Sequence, residues 1–149
     1  MGVVQAQESR VVDASPEVVH GIIADYRIGH QAILPKEYFA SVKVVEGGTG
    51  AGTVLDLHMT VMGTDRKARQ TVSEPEPGRV LVEKDDLATT TFTFDSEEGG
   101  TKTKVTITTE IQSSPGFRGF MERLMTPPVL KRIYREELDL LAEYVRRTK

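Results

Sequence analysis

The spacing of the apolar residues changes twice along this chain, and that change limits the folds open to it more than any other feature. Val19, Ile22, Ile23 and Tyr26 recur at i, i+3, i+4 and i+7, one face of a helix. From Phe39 onward the period drops to two. Leu55, Leu57, Met59 and Val61 alternate with Asp56, His58 and Thr60, and Val105, Ile107, Thr109 and Ile111 share a face near the end of the run. Beyond residue 113 the period is helical again, with Leu130, Ile133, Tyr134, Leu138, Leu141 and Val145 on one stripe. Helix, sheet, helix in that order predicts an α+β fold.

The joints between these runs specify the connections. Residues 3–12 read as an edge strand, plain enough over 3–10 to pair with a copy of itself. Ser15-Pro16-Glu17 then starts a helix: a capping hydroxyl, a proline suited to the first position, and an acid at the positive end of the dipole. Gly29 and Pro35 bracket a short second helix or turn. Gly47–Gly52, Gly63-Thr64-Asp65, Pro75–Gly78 and Glu97–Gly100 are turn signals between strands, so the strands form an antiparallel meander. Gly47–Gly52 reads as a flexible hairpin.

Ser114-Pro115 repeats the cap-then-proline start, and Phe117, Phe120, Met121 and Leu124 follow on one face. Thr126-Pro127-Pro128 predicts a break or sharp kink, because a proline inside a helix costs about 3 kcal/mol and removes a backbone bond. Thr126 is then the cap of a second segment, with Met125 packed on Leu130 as a staple. An antiparallel sheet with one apolar face needs a cover, and the long last helix is the element large enough to supply it. The expected architecture is therefore an α+β domain over residues 1–149. Its sheet of about seven strands wraps around the long C-terminal helix, one or two short helices follow the first strand, and a space remains between sheet and helix.

Composition removes several chemistries. Cys is absent, which excludes disulfides, thiol nucleophiles and thiolate metal sites. His20, His30 and His58 match no metal-ligand spacing, so no metal site is expected. Lys plus Arg is 19 against 22 Asp plus Glu, with no basic block, so nucleic acid is not an expected partner. The N-terminus lacks a signal core and no run approaches a membrane span, which points to a cytoplasmic protein without a membrane anchor. The glycine run lies between strands and cannot offer phosphate a helix N-terminus, and no nucleophile elbow or dinucleotide fingerprint occurs. No cofactor is expected.

The remaining polar candidates are weighed by parity. Asp56 and His58 share a strand face, but it is the wet face opposite Leu55, Leu57 and Met59. Arg66 and Gln70 share the parity of Ala68 and Val72, which favours them over Arg69 as inward residues. An inward Arg66 needs an acid or an anionic ligand. Glu83 is a further group that could enter. Tyr26 and Tyr134 lie on apolar helical faces, where a buried phenol needs a partner. On the last helix, Arg118, Arg123, Lys131, Arg132 and Arg135 interleave with Glu122, Glu136, Glu137, Asp139 and Glu143, which reads as a solvated face.

Four segments carry a resemblance. VVDASPEVVHGIIADY, with its Asp25-Tyr26 pair, resembles the strand-and-helix opening of the START-like, polyketide cyclase/dehydrase and lipid-transport superfamily, also called SRPBCC, whose fold is the helix-grip. VVEGGTGAGTVLDLHM resembles its glycine hinge and central strand, EPEPGRVLVE its hairpin, and the final amphipathic helix matches in place. The resemblance implies a deep hydrophobic cavity between sheet and helix, used for lipids, polyketides, hormones or aromatic substrates. It also implies that the segment containing His30 rims that cavity. Leu57, Met59, Phe92, Phe94, Ile107, Met121 and Leu124 are the expected apolar wall. The expected function is binding of a small hydrophobic molecule. The alternative is a cyclase, aromatase or dehydratase activity in the same cavity, with His30, Tyr26, Arg66 and Tyr134 as its candidate catalytic groups.

Overall fold

The computed structural model describes residues 2–61 and 63–148, without the side chains of Phe120 and Arg123. The places expected for those two side chains therefore lie outside the described residues. The element order is β1 (Val3–Val12), α1 (Pro16–Ala24), α2 (Gly29–Ala32), β2 (Phe39–Glu46), β3 (Val54–Val61), β4 (Thr64–Glu76), β5 (Val80–Lys84), β6 (Ala88–Glu97), β7 (Lys102–Gln112) and α3 (Gly116–Thr148). The strands form one seven-stranded sheet in the order β1-β7-β6-β5-β4-β3-β2. Every neighbouring pair is antiparallel. The meander from β2 to β7 is built of hairpins, and β1 adds beside β7, as the short turns require.

Local chemistry sets the first crossing. The Ser15 hydroxyl accepts the Val18 N–H, and Pro16 opens α1. The helix stops at Asp25, whose Oδ1 accepts the N–H groups of Arg27 and Ile28. α2 follows immediately, and it packs so close that a Cβ on Gly29 would lie 2.4 Å from the Ile22 carbonyl oxygen. Only glycine fits there.

Alternation then decides which side of the sheet meets α3. Ala88, Thr90, Phe92 and Phe94 of β6 are buried, as are Thr103, Val105, Ile107 and Thr109 of β7. Ile133, Leu138, Leu141 and Val145 of α3 join them in the core, with Val19 and Ile23 of α1. Outside this core, Arg10 pairs with Asp139 and Glu8 with Arg135, which ties β1 to α3.

Two expectations are overturned here. α3 runs unbroken for 33 residues with Pro127 and Pro128 inside it, and it begins at Gly116. Thr126 is thus no cap, and Ser114 instead donates its N–H and hydroxyl to the Glu122 carboxylate. Met125 is half exposed and forms no staple. An unbroken helix has a single phase. The buried stripe at 130, 133, 134 and 137 therefore extends backward by fours through Thr126 to Glu122. That phase leaves Leu124 at 61% and Phe117 at 77% exposure.

The second correction concerns residues 47–52, expected to be a flexible hairpin. The loop is clamped. Tyr26 and Gly48, Gly50 and Ala24, and Gly52 and Val72 are joined by backbone bonds. Gly48 N–H donates to Thr53 Oγ1, and Ala51 N–H donates to Glu74 Oε2. Its polar backbone is spent on α1 and β4, and none of its residues 47–52 lines the cavity.

Candidate functional site

Between the inner face of the sheet and the first half of α3 lies a cavity of about 390 Å³. Its apolar wall comes mainly from β2, β3 and β6, including Phe39, Val42, Leu55, Met59 and Phe92, with Val129 and Leu130 of α3 above. The alternating pattern of β3 puts Leu55, Leu57, Met59 and Val61 on this side together. The opposite face carries Asp56, which takes a two-bond contact from Arg69, and His58, which lies near Asp65. Asp56 and His58 do not act on each other.

A polar stripe crosses the apolar wall. Glu83 of β5 is the register partner of Thr90 of β6, and Thr90 is the partner of Thr109 of β7. The inner face therefore carries a carboxyl and two hydroxyls in one row. Thr90 and Thr109 hydroxyls bond each other at 2.8 Å, and Tyr134 of α3 closes the row with a bond to Thr109. Burial pushes the Tyr134 phenol up to about 12, so it stays protonated.

Glu83 is held from the other side. Tyr26 donates its phenolic proton to Glu83 Oε2 at 2.6 Å. Burial first, and then the Glu83 charge, raise the Tyr26 phenol far above its ordinary value, which keeps it a donor. His30 stacks on Tyr26 with ring centroids 4.5 Å apart and meets Phe92 edge-on. Its Nδ1 lies 2.7 Å from the Ile23 carbonyl oxygen, so that nitrogen carries the proton and donates it. Its Nε2 is thereby turned toward Glu83 Oε2, 3.6 Å away. α1 and α2 thus serve to place one phenol and one imidazole against one buried carboxyl.

A second polar group sits on β4. Arg66 Nη2 donates to Asp85 Oδ1 at 2.8 Å, and Gln70 donates to Asp85 Oδ2. Asp85 also accepts the N–H groups of Leu87 and Ala88. Burial pushes its carboxyl up, but Arg66 and those two N–H donors outweigh it and hold Asp85 below the ordinary carboxylate range. Arg66 thus has the acid partner that an inward position demands.

The last polar group was not expected. Glu137 is 2% exposed and lines the cavity. Its Oε2 has no hydrogen-bond partner. Burial, and then the Glu83 charge, raise its carboxyl well above the ordinary range. The reading of Glu137 as part of a solvated face is therefore wrong. The signal was present: Glu137 lies three residues after Tyr134 and four before Leu141, in the middle of the apolar stripe.

Of the polar candidates, His30, Arg66 and Tyr134 lie on this one cavity, and Tyr26 stands behind it, bonded to Glu83. Leu57, Met59 and Phe92 are on the apolar wall. Phe94 and Ile107 are on the correct face but lie in the packed core instead. Met121 is off the wall and Leu124 points to solvent, for the reason of helix phase given above; Glu122 and Thr126 take those places.

A sheet gripping one long helix around a partly polar cavity defines a class of ligand-holding α+β domains. The sequence matches the family Polyketide cyclase / dehydrase and lipid transport over residues 3–146, and the chain belongs to that family. No curated protein matches. Among solved structures, the KanY protein, determined by NMR, is 29% identical with a TM-score of 0.83, covering 98% of this chain and 99% of its own. An aromatase/cyclase from Streptomyces sp. R1128, Zhui, is 18% identical with a TM-score of 0.75, covering 99% and 97%. Norcoclaurine synthase from Thalictrum flavum, solved with dopamine and hydroxybenzaldehyde, is 14% identical with a TM-score of 0.70, covering 99% and 89%. The last two likenesses are likenesses of fold. Among the described residues, no helix is long and apolar enough to cross a membrane.

Proposed function

We propose that this chain, acting as one domain, binds a small and mainly apolar molecule between its sheet and α3. The observation that carries the reading is the cavity of about 390 Å³, walled by aliphatic and aromatic side chains, crossed by the stripe from Glu83 to Tyr134, and with Arg66, Gln70 and Glu137 also on its lining. That size lies within the range of about 300–1,000 Å³ usual for small-molecule sites. Release of water from apolar surface, at about 25 cal/mol per Å², supplies the drive, and the stripe supplies orientation.

The test uses a neutral fluorescent probe, N-phenyl-1-naphthylamine. Saturable one-to-one binding with enhanced, blue-shifted emission is expected. The variant Met59→Trp, which fills the cavity from β3, is expected to abolish it while the circular dichroism stays native. Unsaturable binding, or full binding by Met59→Trp, contradicts the reading.

A second reading is favoured by one observation: His30, Arg66 and Tyr134 share this cavity with Glu83 and Glu137. Such groups suit proton transfer on a bound, folded polyketide-like chain. Turnover of a poly-β-ketone thioester that is lost in His30→Gln, with N-phenyl-1-naphthylamine binding retained, would mark an enzyme. Binding without turnover leaves a carrier.

A further inference from the structure

The two acids on this cavity are not equivalent, and the difference bears on what the cavity accepts. Glu83 has a donor in Tyr26 at 2.6 Å and the His30 ring at 3.6 Å. Glu137 lines the same cavity, and one of its carboxyl oxygens, itself buried, meets no hydrogen-bond partner. Two carboxyls that feel each other in a poorly solvated space do not both ionise readily. The Tyr26 hydroxyl serves Glu83, whereas Glu137 Oε2 has no such donor. A neutral carboxylic acid offers one O–H donor, and a buried donor without an acceptor is costly.

We infer that Glu137 serves as a neutral acid that donates a hydrogen bond to an uncharged oxygen of the bound molecule, so that the cavity takes ketone-like or phenol-like ligands and rejects carboxylates. The inference rests on the binding reading above and adds the ligand's chemical class to it. Burial raises the Glu137 carboxyl in the direction the role requires. A ligand carboxylate meets the opposite situation: the lining adds the Glu83 carboxyl, and Arg66, the cation among the described lining residues, is already engaged by Asp85. The apolar part of the ligand lies along Leu55, Met59 and Phe92, with its oxygen toward α3.

Three probes of nearly one shape separate the possibilities: 2-acetylnaphthalene, 2-ethylnaphthalene and 2-naphthoate, each measured by displacement of N-phenyl-1-naphthylamine. The ketone is expected to bind about fivefold more tightly than the ethyl compound, the worth of one ordinary hydrogen bond. The carboxylate is expected to bind at least about tenfold more weakly than the ketone at neutral pH. Glu137→Gln keeps an N–H donor and is expected to keep the ketone preference, whereas Glu137→Met is expected to lose it and still bind 2-ethylnaphthalene. Should Glu137→Met fail to fold, the infrared band of a ¹³C-labelled acetyl group decides: it shifts to lower frequency in the wild type if the bond forms. An unshifted band, equal binding of ketone and ethyl compound by the wild type, or tight binding of 2-naphthoate overturns the inference while the binding reading stands. Failure of all neutral naphthalenes to displace or bind overturns both.

Discussion

Tyr26, at the end of the first crossing, donates its hydroxyl to Glu83 in the middle of the sheet over 2.6 Å, with both side chains buried. The bond joins residues 57 positions apart and ties the end of the first crossing to β5. Removing the hydroxyl leaves a buried carboxyl short of a donor. Tyr26→Phe, which keeps the ring stacked on His30, is expected to lower stability by about 1.5–3 kcal/mol, the range for a bond to a charged group. Urea unfolding checks it through a lower midpoint at unchanged m. A change below about 0.5 kcal/mol, the scatter of ordinary surface substitutions, contradicts it.

The clamp on the glycine loop gives a pH dependence. Glu74 accepts the Ala51 N–H at 3.0 Å and bonds His20 Nε2 at 2.6 Å, joining loop, β4 and α1. Burial pushes the Glu74 carboxyl up, but the His20 and Ala51 bonds outweigh it and hold it below the ordinary value. A carboxyl depressed in the folded state stabilises fully above its unfolded pKa of about 4.3, and that contribution is lost as pH falls through the lower folded value. Glu74→Gln is expected to flatten the acid limb of the stability curve and to raise amide exchange at Ala51. An unchanged acid limb would contradict the assignment.

Pro127 and Pro128 sit inside α3 over the cavity, where each removes a backbone donor from the helix. Residues before them include the exposed Phe117 and Leu124, so this first third is held by few buried apolar contacts. The double variant Pro127→Ala/Pro128→Ala is expected to increase exchange protection over residues 117–126 and to slow release of N-phenyl-1-naphthylamine by about tenfold, or 1.4 kcal/mol at the barrier. Unchanged release would show that the ligand leaves elsewhere.

Arg66 and Asp85 stand as a pair in which Asp85 is the deeper member, with its side chain 4% exposed. Arg66→Met is expected to cost more than Arg69→Met, because Asp85 loses its cation in a buried place whereas Asp56, Arg69's partner on the outer face, regains water. Parallel denaturant curves of the two variants check the order. Equal losses would contradict the inward placement of Arg66.

The fold was readable because it rests on periodicity. A strand's period of two assigns faces directly, and Leu55 through Val61 needed nothing more. The site was readable only in part, because parity tells which side a residue faces and not what lies opposite. Phe92 and Phe94 share a face, yet one meets the cavity and the other the core, where the His20 ring of α1 meets Phe94 edge-on. Glu137 was hidden by its neighbours: a run of charged residues masks one that sits at the phase of Tyr134 and Leu141. The proline pair misled for a related reason. Local cost argued for a break, and the long buried stripe from Leu130 to Val145 belongs to a helix that continues through it.

The central claim is that the space between sheet and α3 is where the ligand sits. Methyl NMR of the protein titrated with 2-acetylnaphthalene tests this directly, since Leu57, Met59 and Leu130 line that space and Leu124 and Met125 lie outside it. Saturable shifts at Leu57, Met59 and Leu130, with Leu124 and Met125 unmoved, are the expected result. Shifts confined to Leu124 and Met125, or none at any methyl, would contradict it.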